Sequence, residues 1–318
     1  MLTAEVTPSL TVDAAGVCVI CPTPFLPDGA LDERSAASMT EAYVAAGATG
    51  LTILGIMGEA PKLDAEEAMR LVRIVLKHAS GLPVIVGVSA PGYAPMAALA
   101  ARAMQAGAAG VMIAPPTGLR GDDATLSWLQ GAAAAVAPAP WVLQDFPQAN
   151  GVHMSPRVIA ALAADERCVM LKAEDWPGLD KITLLKAMMS KGEMRRIAMF
   201  GGNGGLFLPE EIQRGNDGVM TGYAFPEMLV RVIQMLKAGR NDAAMDLFEA
   251  HLPLIRTEHQ PGLGLAVRKY VLTRRGIIAH ATIRAPGPKL SDATRAEVDA
   301  MLARLARRDP VAMKLAAE

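Results

Sequence analysis

Cysteine is scarce in this chain, and neither sign of charge is in excess. Three cysteines are too few for a disulfide framework, and Cys18-x-x-Cys21 has no second pair to complete a zinc site. Lys plus Arg total 31 and Asp plus Glu total 32, so the net charge of -1 gives no broad attraction to nucleic acid or anionic lipid. We therefore expect a small-molecule partner, and neither nucleic acid nor a membrane.

Long apolar runs are also missing. No stretch approaches the roughly 20 apolar residues that a membrane span needs. Residues 1–5 lack the basic segment followed by an apolar run that is typical of a secretory signal. The five histidines show no H-E-x-x-H or similar metal-binding spacing. These absences predict a cytoplasmic protein without a metal site.

Short β-branched runs alternate with alanine-rich helical stretches, a pattern typical of parallel strands joined by helical crossovers. Each candidate strand is almost continuously apolar, as expected where both faces of a sheet are buried. The candidate strands are 17–21, 50–54, 83–88, 110–114, 141–145, 169–172, 197–200 and 218–221. Eight strand-helix units of roughly 25 to 35 residues allow closure, which predicts a (β/α)8 TIM barrel.

An open doubly wound sheet is the alternative to the barrel. It would need a glycine fingerprint after the first strand, and Cys21-Pro22-Thr23-Pro24-Phe25 stands there instead.

Beyond residue 239 the pattern is wholly helical. The candidate helices there are 242–255, 264–275 and 292–307. Because they cannot join a closed sheet, we expect residues 1–239 to form the barrel and residues 240–318 a helical appendage packed on it.

Lys172 is the most informative residue for chemistry, since reactive groups of such barrels come from the carboxyl ends of strands. It interrupts the apolar run Val169-Met170-Leu171 at the end of a strand expected to be buried on both sides. Burial disfavours the ammonium form and can bring a lysine toward the neutral amine that attacks a carbonyl carbon. The alternative is a structural lysine that reaches the barrel rim or pairs with Asp145 or Glu174.

Five motifs stand in order along the chain at suitable spacing. They are Thr23-Pro24-Phe25, Gly55-Ile56-Met57-Gly58-Glu59, Phe146-Pro147, Lys172, and Arg284-Ala285-Pro286 with Leu290-Ser291. Together they resemble the dihydrodipicolinate synthase and N-acetylneuraminate lyase family of class I aldolases, over nearly the whole barrel and part of the tail. The second motif matches the family's G-[ST]-T-G-E loop in frame, and Lys172 matches its Schiff-base lysine.

The resemblance implies a Schiff-base-forming lyase or aldolase that acts on pyruvate or a related 2-oxo acid, without a metal or organic cofactor. The amides of Ile56 and Met57 would bind the substrate carboxylate, and Gly201 would leave room beside the imine. The resemblance also implies a homotetramer. The expected substrate-binding residues are Gly55, Ile56, Met57, Gly58, Gly201, Gly202, Asn203 and Met220.

The chain departs from the family pattern at several positions. Ile56 and Met57 replace hydroxyl residues, so only backbone amides remain there to bind a carboxylate. Gln144 replaces the tyrosine that serves as general acid and base, and an amide does not exchange protons at neutral pH. Ala149 replaces the arginine that binds the second substrate in dihydrodipicolinate synthase. A role in lysine biosynthesis is therefore not expected.

Another group must replace the tyrosine if the protein is active. Neighbouring strand residues point in opposite directions, so an inward Gln144 would turn Asp145 outward and favour Glu174 or Asp175 as the proton relay. Tyr223 is a further candidate, and all of these carboxylates could instead cap helices. The expected catalytic residues are Lys172, Gln144, Glu174 and Asp145.

Two other functions remain open from the sequence. One is a 2-oxo-acid-binding protein on the same fold without turnover. The other is a barrel enzyme for a phosphorylated substrate, because the amides of Gly201 to Gly205 could hold an anion. No basic residue follows that run until Arg214. Glu59 is expected to anchor its loop rather than to react.

Overall fold

Eight parallel strands close into a barrel in the computed structural model, which describes residues 9–312 except residue 177. Each strand pairs with its neighbours in chain order, and the eighth pairs with the first. The strands are β1 Gly16–Ile20, β2 Gly50–Ile53, β3 Val84–Gly87, β4 Gly110–Ile113, β5 Trp141–Asp145, β6 Cys168–Ala173, β7 Ala198–Gly201 and β8 Gly218–Thr221. The predicted barrel is confirmed, and residues 1–5, discussed above, lie outside the described part.

Helices follow the strands and cover the outside of the barrel. They are α1 Glu33–Ala45, α2 Ala65–His78, α3 Tyr93–Ala106, α4 Asp122–Ala135, the short α5 Pro147–Asn150, α6 Pro156–Ala163, α7 Leu179–Ser190, α8 Leu208–Gln213 and α9 Pro226–Lys237. Three-residue 3-10 turns lie at Ile56–Gly58, Ala60–Lys62 and Asn203–Gly205. The turns at Ile56–Gly58 and Asn203–Gly205 follow the carboxyl ends of β2 and β7.

The three predicted C-terminal helices are present as α10 Asn241–His259, α11 Gly264–Arg274 and α12 Asp292–Arg308. The prediction that the first ends at residue 255 is wrong, because the helix continues for about one more turn, to His259. Buried polar contacts join this extension to the barrel: Lys269 Nζ lies 2.5 Å from Glu59 Oε1, and the Tyr223 hydroxyl lies 2.8 Å from His251 Nδ1. The division of the chain at residue 239 stays a prediction.

The core has two layers, because strand side chains alternate between the barrel interior and the surrounding helices. Apolar side chains fill the interior, among them Ile85, Met112, Met170, Phe200 and Met220. A larger cluster lies between strands and helices. The cysteines are buried in these layers, and burial raises the pKa of the Cys18 and Cys21 thiols to about 12. Across residues 9–312 without 177, no helix combines the length and apolar character needed to cross a bilayer.

Candidate active site

Three polar side chains meet inside the carboxyl end of the barrel. Gln144 on β5 and Lys172 on β6 are direct partners in the strand register, and each stands two residues after a member of the interior cluster, Val142 and Met170, so both face the interior. Lys172 Nζ lies 2.7 Å from Glu174 Oε2, and Gln144 Nε2 donates to the same oxygen at 2.8 Å. Each of the three side chains is buried. The sequence left open whether Lys172 is a reactive lysine or a structural one paired with a carboxylate. The contact with Glu174 does not decide between these interpretations, because Glu174 is itself a candidate base.

The turn after β7 fixes the other oxygen of Glu174. The backbone N–H of Asn203 donates to Glu174 Oε1 at 3.2 Å. Gly202 lies against the same carboxylate, and a Cβ atom at that position would have Oε1 at 2.5 Å. Because real Cβ contacts are longer, only glycine lets Glu174 lie this close to the turn. The anion that the glycine-rich run binds is therefore the carboxylate of Glu174, which belongs to the protein itself.

Asp145 does not face Lys172. It is the register partner of Ala173, on the outer face of the sheet, and its Oδ2 lies 2.5 Å from Lys181 Nζ on α7. Lys181 also pairs with Asp175 at 2.9 Å. Burial raises the pKa of Asp145 to about 6. Asp145 therefore lies on the opposite face from Lys172, as strand alternation indicated, and this geometry does not support the catalytic role expected for it, which stays a prediction.

The loop after β2 covers one side of the barrel mouth. Ile56–Gly58 forms a 3-10 turn, and the first N–H groups of such a turn have no acceptor within it. Ile56 and Met57 thus keep the amides that were expected to bind a carboxylate. The Met57 side chain packs on the interior apolar cluster, whereas 55% of Ile56 is exposed. Thr23 Oγ1 donates to the carbonyl of Gly58 at 2.5 Å and ties the loop to the segment that follows β1.

Glu59 holds this loop in place, as expected. Its carboxylate pairs with Lys269 Nζ at 2.5 Å and Lys62 Nζ at 2.8 Å, and it accepts the N–H of Arg284 at 3.1 Å. Burial lowers the pKa of Lys269 to about 8. Glu59 itself adopts a left-handed φ of 54°. These contacts join the β2 loop to the C-terminal extension, so the helices there support the mouth of the barrel.

The expected role of Gly201 is wrong. A Cβ atom there would overlap the carboxylate of Glu211 on α8, outside the barrel, so Gly201 leaves no room beside Lys172. Met220 faces the interior but is fully buried among apolar side chains. Tyr223 is also fully buried and bonded to His251, and burial raises the pKa of its hydroxyl well above the usual value. Tyr223 is therefore not a relay to Lys172.

Sequence reasoning missed two titratable residues near the site. Glu211 lies behind Gly201, and His259, at the end of α10, lies with its imidazole against Gly204. Burial lowers the pKa of His259, and the charge of Glu174 opposes that shift. Neither residue stands at the end of a strand, so the rule that located Lys172 could not find them. Their position depends on how α8 and α10 pack.

Gly202→Ala provides a direct test of how Glu174 is positioned. The added methyl group should push the Glu174 side chain away from Lys172 and lower turnover by roughly 10²-fold, since displacements of about 1 Å can have that effect. Gly92→Ala is the matched control, because a Cβ there would meet only Pro95 Cδ at 3.8 Å. Equal turnover in both variants, measured with the same substrate and after checking their melting temperatures, would contradict this positioning.

A buried lysine in contact with a carboxylate, at the mouth of a (β/α)8 barrel, is the arrangement of an imine-forming lyase of the class I aldolase type. The chain belongs to the Dihydrodipicolinate synthetase family, whose model matches residues 13–305. The family, fold and lyase type expected from the sequence are thereby confirmed.

Relatives within this family carry different activities. L-2-keto-3-deoxyarabonate dehydratase of Azospirillum brasilense is 30% identical over 98% of this chain and 99% of its own length. The crystal structure of dihydrodipicolinate synthase from Rhodopseudomonas palustris has a TM-score of 0.92 and 52% identity, over 93% of this chain and 99% of that one. YagE of Escherichia coli, solved in complex with pyruvate, shares the fold with a TM-score of 0.82 at 22% identity, over 92% and 98%.

Proposed function

We propose that this protein dehydrates a short 2-oxo-3-deoxy sugar acid through an imine on Lys172, with Glu174 as the proton-transfer group. The observation that carries the proposal is the contact of 2.7 Å between Lys172 Nζ and Glu174 Oε2. It brings a nucleophile and a base together in a buried site, which is the pairing that imine chemistry needs.

The first step forms the imine. Transfer of the ammonium proton from Lys172 to Glu174 gives a neutral amine, which attacks the C2 carbonyl of the substrate. Glu174 returns that proton to the C2 oxygen, which leaves as water together with one hydrogen of the amine. A protonated imine and an ionised carboxylate remain, and the positive charge of the imine acidifies the hydrogens on C3. The amides of Ile56 and Met57 hold the substrate carboxylate at the edge of the mouth.

The second step removes the hydroxyl group. The ionised Glu174 takes a proton from C3 to give an enamine, and the enamine expels the hydroxyl on C4. Glu174 returns its proton to that hydroxyl, which leaves as water. A further water molecule then hydrolyses the unsaturated imine and releases Lys172. The net change is the loss of one water, and a single carboxylate carries each proton that moves.

The reaction we propose is dehydration rather than aldol cleavage. Gln144, at the position of the family's tyrosine, is an amide that cannot exchange the C4 hydroxyl proton, so Glu174 alone handles protons at that oxygen and donates one to the leaving hydroxyl. The N–H group of Gln144 instead bonds to Glu174 at 2.8 Å and helps to aim that carboxylate. The 30% identity to a sugar-acid dehydratase over nearly the full length supports the same reaction class. Ala149, in place of a carboxylate-binding arginine, argues against dihydrodipicolinate synthesis.

The proposal is tested with a panel of five- and six-carbon 2-oxo-3-deoxy sugar acids. Mass spectrometry should show a product lighter than the substrate by one water, without release of pyruvate. Pyruvate as the main product would show an aldolase instead. Trapping of substrate on Lys172 by borohydride, without any product, would indicate a 2-oxo-acid-binding protein. Assembly as a homotetramer and a cytoplasmic location stay predictions.

A further inference from the structure

A cavity of about 310 Å³ lies outside the barrel wall, between the segments that follow β6 and β7. Ala173, on the outer face of β6, and residues at the starts of α7 and α8 line it. Its volume is at the lower end of the range for small-molecule pockets. Asn203 lines the cavity as well, so one turn separates this space from Glu174.

Two buried oxygen atoms at this cavity have no hydrogen-bond partner within the described chain. One is Oε2 of Glu211, whose side chain is 3% exposed, and the other is Oδ1 of Asn203, which is 4% exposed. Unpaired buried acceptors are rare in proteins because their desolvation is unfavourable. Asn203 Oδ1 calls for a donor, Glu211 Oε2 calls for a donor or a bound proton, and both residues line the same space.

The remaining walls favour a cation. Asp175 is paired with Lys181 and Asp180 with Arg214, each at 2.9 Å, so within the described residues Glu211 is the lining carboxylate that has no cationic partner. Trp176 and Phe207 form an aromatic pair with centroids 4.9 Å apart, and both rings line the cavity. Aromatic faces next to carboxylates are how proteins recognise ammonium groups.

We propose that this cavity is a second ligand site, for a small molecule that carries an ammonium group. The cationic group lies between Glu211 and the aromatic pair, and it donates to Glu211 and Asn203 where it carries N–H groups. The site shares only Asn203 with the candidate active site. It therefore rests on geometry independent of the imine chemistry proposed for Lys172.

Cation binding is coupled to a proton. Burial, with the charges of Glu174 and Glu210 adding to it, raises the pKa of Glu211 to about 8. The charges of Glu174, beyond the β7 glycines, and Glu210, on α8, act on Glu211 directly. The other charged groups at the cavity are the ion pairs of Asp180 with Arg214, just after α8, and of Asp175 with Lys181 on α7. An acid whose pKa is raised is neutral below that value, so a cation must displace the proton. Affinity for a permanent cation should rise with pH by up to about tenfold per unit below pH 8 and level off above it.

Choline is a suitable probe, since its charge does not change with pH, and 3,3-dimethyl-1-butanol is its neutral analogue of the same shape. Calorimetric titration should give saturable binding of choline and at least about tenfold weaker binding of the alcohol. Glu211→Gln keeps the side chain's size, and it should weaken choline binding by about tenfold and remove its pH dependence. Trp176→Phe is the control for the aromatic wall: it keeps an aromatic ring there, so choline binding should weaken less than in Glu211→Gln.

Equal binding of choline and the alcohol, no binding of either, or an unchanged choline isotherm in Glu211→Gln would overturn the proposal. Lys172→Ala separates this site from the catalytic one. It should bind choline like the wild type while losing turnover. In the wild-type protein, choline binding without any dehydratase reaction would reject only the proposed function, and dehydratase turnover without choline binding would reject only the second site.

Discussion

Lys172→Ala is expected to abolish the covalent adduct that borohydride traps when the protein is mixed with pyruvate or a 2-oxo-3-deoxy sugar acid. Turnover should fall by roughly 10⁴-fold or more, because removal of a nucleophile eliminates the covalent route entirely. Intact-protein mass spectrometry measures the adduct, and peptide mapping should locate it on residue 172 in the wild type.

Lys181→Ala is the matched control for this experiment. Lys181 is also a partly buried lysine paired with carboxylates near the ends of β5 and β6, but it lies on α7, on the outer side of the sheet. It should keep the adduct and most of the turnover. An adduct of normal yield in Lys172→Ala, or its loss in Lys181→Ala alone, would transfer the reaction to the outer lysine and refute the assignment.

The barrel could be predicted because its strands are buried on both faces. Such strands are short, continuously apolar runs, and eight of them at regular spacing leave few other topologies. The bounds of β1 to β8 lie within one or two residues of those expected. The end of α10 was less predictable, since the pattern placed it at residue 255 and the helix continues to His259, with Pro253 inside it.

Lys172 and the direction of Asp145 follow from local rules, namely a charge in an apolar strand and the alternation of strand side chains. The position of Glu174 could not be derived in this way. It stands after the strand, and its place beside Lys172 depends on Gly202 and on the N–H of Asn203, both from a different strand end. The surroundings of Gly201 could not be predicted either, because the packing of α8 is what places Glu211 beside it.

These tertiary contacts fix the position of Glu174. Glu174 accepts from Gln144 and Asn203 and contacts Lys172, so three elements of the barrel hold one carboxylate. A proton acceptor held this firmly can act at C3 without rearrangement of the site. We therefore expect its removal to affect proton transfer much more than imine formation.

Glu174→Gln should separate these two steps. The amide fills the same volume and can still accept from the Asn203 N–H, so the Lys172 adduct should form and be trapped, although more slowly. Turnover should fall by roughly 10²- to 10⁴-fold, the usual contribution of a general acid or base. Exchange of C3 hydrogens for deuterium in heavy water, followed by NMR, should fall to a similar extent, because the same carboxylate removes that hydrogen.

Asp145→Asn is the control that decides between the two carboxylates at the ends of β5 and β6. Asp145 faces Lys181 on the outer side, so its amide variant should keep turnover within about tenfold of the wild type. Its melting temperature should fall instead, because a buried ion pair with Lys181 is broken. If Asp145→Asn stopped C3 exchange and Glu174→Gln did not, the proton would pass through the outer carboxylate, and the contact between Lys172 and Glu174 would be structural.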